Sequence, residues 1–97
     1  MSHAHDPAIE REIQVRLFGA FRDLVPSGKY TLRVHAEASV GGIKNALAHE
    51  LHSRANAKFD VTELMAKSVL ATETRVLSDD EIFSGSNIAI LPPVCGG

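Results

Sequence analysis

The sequence predicts a single α+β domain built in two layers, a short-stranded sheet with one helix covering one of its faces. Three observations carry this. Apolar and polar residues alternate over residues 12–18 and again over 30–35, apolar residues recur at helical spacing from Val40 to Leu51, and the branched apolar run "NIAIL" stands near the end. Ninety-seven residues suffice for one domain and no more.

Residues 1–10 are polar, include Pro7 and follow no period, so they read as a flexible N-terminal arm; residues 11–92 then form the domain and 93–97 an extended C-terminal tail. In "EIQVRLF" Ile13, Val15 and Leu17 share one face while Gln14 and Arg16 share the other, the pattern of a half-buried strand. "GAFRDLV" connects it to the turn signal "PSGK", with Pro26 early and Gly28 late. "YTLRVH" alternates again, with Leu32 and Val34 inward, so the two strands make a hairpin-like pair.

The period then changes. Val40, Ile43, Leu47 and Leu51 form one stripe of an amphipathic helix, and Ser39 before it is a good N-cap. Gly41 and Gly42 cost that helix about 1 kcal/mol each relative to alanine, and close packing against the neighbouring sheet is one explanation for them. The pattern fades near Ser53. Asp60 with Glu63 three residues on predicts a short helical turn over 61–66. "KSVLAT" reads as a strand, "RVL" as a short one, "SDDEIFSGS" as a loop with turn chemistry around Gly85, and "NIAIL" as the last and a central strand.

Composition excludes several function classes. Ten Lys and Arg are spread along the chain and outnumbered by twelve Asp and Glu, which is no nucleic-acid footprint. No apolar run approaches the ~18 residues of a membrane span, and the start has no charged-then-apolar signal. A single cysteine fits a reducing cytoplasm. His3 and His5, and His49 with His52 one helical turn apart, could ligate a metal, but no third ligand accompanies them, so no metal site is expected. Arg22 and Asp23 could pair or cap the turn, for under ~1 kcal/mol at a surface.

The ending "LPPVCGG" is the most informative segment. Pro92 and Pro93 stop strand pairing and send the chain away extended. Residues 93–97 then reach at most ~17 Å from the body. Gly96 and Gly97 make this probe thin enough for a channel that a side chain would block. Its end presents one group, the α-carboxylate of Gly97. A carboxylate becomes an acyl donor once ATP converts it to an acyl adenylate, and a glycine acyl group is the least hindered for attack.

Three segments carry a resemblance to a known family. "LFGAFRDLV", "SVGGIKNALAHEL" and "GSNIAILPPVCGG" resemble, in turn, the first strand and turn, the single helix, and the closing Pro-Pro-Val-x-Gly-Gly of the molybdopterin synthase small subunits and the wider ubiquitin-like sulfur carriers. The likeness runs over residues 12–97, strong at both ends and weak across 52–80. It implies a ubiquitin-like β-grasp fold, a mixed sheet of four to five strands packed on one main helix. It also implies a cycle in which this chain is not catalytic alone and binds no cofactor. An E1-like adenylating enzyme uses ATP to activate Gly97, a sulfur donor (a cysteine desulfurase or a rhodanese-like protein) converts it to a thiocarboxylate, and Gly96 lets the tail insert into the large synthase subunit. There the sulfur goes to a pterin precursor of the molybdenum cofactor. Phe18, Leu91, Pro92, Pro93, Val94 and Cys95 are the implied partner-binding residues, although Phe18 and Leu91 could equally cover the core edge.

The chain departs from the family pattern at Ser86, where an Asp is usual, and at Cys95, where a small or hydroxylated residue is usual. Cys95 could accept sulfur as a persulfide or form an acyl disulfide, or simply be small enough for the channel. Three alternatives remain open: a ubiquitin-like modifier joined to lysines through Gly97, a sulfur carrier for thiamine, thiolated tRNA or cysteine, and an interaction module with an inert tail. "PPV" favours the molybdopterin branch.

Overall fold

The computed structural model describes residues 10–54 and 60–93. The elements run β1 (Glu10–Leu17), α1 (Ala20–Leu24), β2 (Lys29–His35), α2 (Val40–His52), α3 (Val61–Ala66), β3 (Val69–Ala71) and β4 (Asn87–Leu91). They form a four-stranded sheet in the order β2-β1-β4-β3. β1 and β4 are parallel at its centre, while β2 and β3 flank them antiparallel. This mixed sheet beneath a main helix is the ubiquitin-like β-grasp arrangement.

Alternation places the core. Ile13, Val15 and Leu17 of β1, Leu32 and Val34 of β2, Leu70 of β3 and Ile88 and Ile90 of β4 all turn inward and are buried. Against them lies the α2 stripe, Val40, Ile43, Leu47 and Leu51, each wholly shielded from solvent. Full burial of such side chains contributes about 1.5–3 kcal/mol each. Val61 and Met65 of α3 close one end of this layer.

The two longer helix starts follow their local sequence. The Ser39 hydroxyl accepts the Gly42 amide at 3.0 Å, and the Asp60 carboxylate accepts the Glu63 amide at 3.0 Å. Gly41 does not owe its place to the sheet. A Cβ there would stand 3.2 Å from the Asp79 carbonyl oxygen, which accepts the Gly41 amide at 2.8 Å. The Val40 amide donates to Glu81 O at 2.8 Å, so the loop before β4 caps the helix with two of its carbonyls.

Three expectations need correction. The link after β1 contains a helix, α1, which buries Phe21 completely. The short strand expected at "RVL" is reduced to a single bridge, Ala71 to Val76, because only Leu77 of the three is buried and Val76 is left exposed. Gly85 does not sit at positive φ; a Cβ there would meet the Phe83 ring at 2.7 Å, so contact and not turn conformation demands the glycine. That loop is clasped by Arg11, which donates to Ala36 O at 3.1 Å, Gly85 O at 2.6 Å and Phe83 O, with its guanidinium 5.8 Å from the Phe83 ring centre.

Tyr30 is the only tyrosine and supplies a clean probe of the sheet–helix contact. Its hydroxyl donates to Glu50 Oε1 at 2.6 Å, and Arg54 lies 5.6 Å over the ring. The hydrogen bond to Glu50, helped by burial and by the Glu50 charge and opposed by Arg54, holds the phenol above its ordinary pKa of 10.0. The folded chain therefore keeps this proton to higher pH than the unfolded chain. Its stabilising effect is complete below pH 10.0 and is lost as pH rises through the folded-state midpoint. Ultraviolet titration of the tyrosinate is expected to give a midpoint above 10.0, moving back towards it in Glu50→Ala. A midpoint at or below the ordinary value in the native chain contradicts this account.

Candidate functional site

The outer sheet face, away from the helices, is where the sequence-predicted contact residues meet. Arg16 pairs with Ala89 and Leu17 with Ile90 in the parallel register, so the next step sets Phe18 beside Leu91. Leu91 is in turn the antiparallel partner of Val69. One row across the sheet therefore reads Phe18, Leu91, Val69, with Phe18 38% and Val69 37% exposed. The row behind it reads Arg16, Ala89, Ala71. Farther along, Gln14 opposite Asn87 returns the surface to polar residues.

Small side chains in the second row leave a depression of about 360 Å³, bounded by Phe18, Leu91, Thr72 and Glu73 and floored by Ala89 and Ala71. The Arg16 guanidinium carbon lies 6.0 Å from the centre of the Phe18 ring, so a positive charge stands beside a mainly apolar hollow whose rim also carries Thr72, Glu73 and Asn87. An apolar row with a flanking arginine suits a protein surface, since burying Phe and Leu supplies area and Arg supplies directed hydrogen bonds. At the far end of this face Arg33 contacts Glu10 and Glu12 at 3.7 and 3.4 Å, exposed pairs of small worth.

This row lies at the end of β4 from which the tail departs. Pro92 and Pro93 follow Leu91 directly, and both are half-buried. Val94, Cys95, Gly96 and Gly97 lie outside the described residues, as do His3 and His5. Of the predicted contact residues, the fold thus brings Phe18, Leu91, Pro92 and Pro93 into one neighbourhood. His49 and His52 are both exposed on α2, and among the described residues no group of three or more His, Cys, Asp or Glu is placed to hold a metal. No ion pair joins Arg22 and Asp23 among the described residues; Arg22 lies instead along Gly28.

Two participants were not singled out from the sequence. Val69 and Ala71 flank the inward Leu70, so alternation in "SVLA" marks them as outward once that strand is paired. Gly19 touches Pro92 across 73 positions of sequence, and a glycine directly after a strand was its only local sign. No helix among the described residues is long and apolar enough to cross a membrane.

Comparison with known proteins yields three findings. No family model matches the chain. A molybdopterin synthase sulfur carrier subunit from Synechococcus elongatus is 31% identical over 83 residues, spanning 82% of this chain and 90% of that one. Among solved structures, SAMP1 from Haloferax volcanii superposes with a TM-score of 0.64 at 23% identity over 90% of this chain and all of that one. The HVO 2177 protein of the same organism gives 0.62 at 23% identity, with 98% and 94% covered. At that identity the two structures speak for the fold alone.

Proposed function

The chain belongs to the family of molybdopterin synthase sulfur carrier subunits, and from that premise we propose that the carboxylate of Gly97 is the group that carries sulfur. An E1-like enzyme joins it to AMP with release of pyrophosphate from ATP. A persulfide on a cysteine desulfurase or a rhodanese-like donor then displaces AMP to give an acyl disulfide, and a second thiol attacks the sulfur nearer the donor, which closes a disulfide there and releases the thiocarboxylate. The tail enters the large synthase subunit, where the sulfur passes to a pterin precursor and water restores the carboxylate. The cycle runs in the cytoplasm, where ATP and reduced thiols are at hand. This chain contributes no acid or base of its own and no bound cofactor.

The observation that carries the reading is the meeting of two features at one end of β4. A Pro-Pro-Val-Cys-Gly-Gly ending leaves the sheet beside the exposed row Phe18, Leu91, Val69. A partner seated on that row is well placed to receive the tail. Incubation with an activating enzyme, ATP and a sulfur donor is expected to raise the intact mass by the difference between one sulfur and one oxygen. An unchanged mass, or stable conjugates to lysines of other proteins, would falsify the proposal.

The same reading fixes the effect of Phe18→Asp. A carboxylate placed in an apolar contact must be desolvated without a partner. Affinity for the large subunit is expected to fall by about 2 kcal/mol or more, close to thirtyfold, with the fold unchanged since Phe18 faces outward. Isothermal titration measures it, and an affinity equal to that of the native chain removes Phe18 from the interface.

A further inference from the structure

At the base of the tail a contact links two residues that are remote in sequence. Gly19 has φ 59° and ψ −135°, a conformation that L side chains rarely adopt. A Cβ built on it would stand 2.8 Å from Pro92 Cγ and 3.8 Å from Pro92 Cβ and Cδ. Methyl and methylene carbons do not approach that closely. We infer that Gly19 and Pro92 form a seat that aims the tail, which makes Gly19 a positioning residue for the chemistry at Gly97.

Each half of the seat is stiff. Gly19 is held from both sides: its carbonyl accepts the Arg22 amide at 3.0 Å, and the preceding Phe18 carbonyl accepts the Phe21 amide at 3.2 Å. Phe21 is fully buried, so the start of α1 is pinned to the core. On the other half, a proline ring closes onto its own backbone nitrogen and cannot swing aside as a leucine would. A side chain at position 19 must therefore displace the backbone of residue 92.

Displacement there is passed along. Leu91 and Pro92 both precede a proline, which confines them to extended conformations, and each ring fixes its own φ. Pro93 follows directly, so a shift of residue 92 changes the direction in which the chain leaves the sheet. Acyl transfer is sensitive to such changes, since a misplacement of about 1 Å can cost a hundredfold in rate. The exposed row on the sheet would still dock, so the seat separates aiming from binding.

The consequence for catalysis rests on the proposed role of Gly97, whereas the seat itself rests on the Gly19–Pro92 contact alone, and the experiment keeps the two apart. Cys95 is the only cysteine and lies in the tail, so a nitroxide attached to it in the full chain reports where the tail points through broadening of nearby amide signals. Pro92→Ala keeps Gly19 and removes the ring; Gly19→Ala keeps the ring and fills the seat. Both are expected to change the set of broadened amides, while the signals of core residues Ile13 and Leu47 keep their positions. With unlabelled Gly19→Ala, kcat for thiocarboxylate formation is expected to fall about tenfold or more, with KM held within about twofold.

An unaltered broadening pattern in Pro92→Ala overturns the seat, and that variant decides the matter alone if Gly19→Ala does not fold. A changed pattern with native kcat in Gly19→Ala overturns the positioning role. Failure of the native chain itself to acquire sulfur refutes the function proposed above, while the broadening pattern still decides the seat.

Discussion

Appending a single glycine beyond Gly97 is expected to lower thiocarboxylate formation by at least a hundredfold. The added residue converts the carboxylate proposed to react into a peptide amide and moves the new terminus about 3.4 Å farther out. Acyl activation needs its atoms roughly 3–3.5 Å apart and aligned, so a shift of one residue takes the group out of range. Glycine is the stringent choice because it adds length without bulk, which separates reach from fit. Intact mass after incubation with the activating enzyme, ATP and a sulfur donor measures the effect and reveals any trimming of the added residue. An untrimmed chain that gains sulfur at the native rate rules out Gly97 as the carrier.

The second large effect belongs to the core. Leu47 lies at the centre of the α2 stripe and is fully buried against the sheet. Leu47→Ala is expected to cost about 2–5 kcal/mol, the transfer free energy of the lost carbons plus the cavity they leave. A domain of this size has only about 5–15 kcal/mol in hand, so the variant stands near the edge of folding. The urea midpoint should fall with the slope unchanged. Phe18→Ala is the matched control, an apolar truncation on the outer face expected to change stability by well under 1 kcal/mol. Equal losses at the two positions contradict the assignment of faces.

Much of this was legible from the sequence because the signals are local. Alternation in β1 and β2 named Ile13, Val15, Leu17, Leu32 and Val34 as inward, and all are buried. The helical stripe and the caps Ser39 and Asp60 lie within four residues of what they act on. What escaped notice depends on partners distant in sequence. The α1 helix has five residues, too few to display a period, and no capping side chain announces it. The strand expected at residues 75–77 needed pairing along its length, and the chain supplies one bridge.

The candidate site divides along the same line. Phe18 stood out because it breaks the inward alternation, and Leu91 because it ends an apolar run before two prolines. That they are neighbours follows only from β1 and β4 being paired in parallel, which no local pattern specifies. Val69 and Gly19 join the group through β3–β4 pairing and through the Pro92 contact, both long-range.

The order β2-β1-β4-β3 has a consequence for synthesis. β4, the last of the described strands in chain order, is an interior one, so a chain that stops short of residue 91 has a gap down the middle of its sheet. Closing that gap is a late, non-local event and correspondingly slow. A chain cut before β4 is therefore left with unpaired edges on β1 and β3, the kind of surface that invites association with other chains.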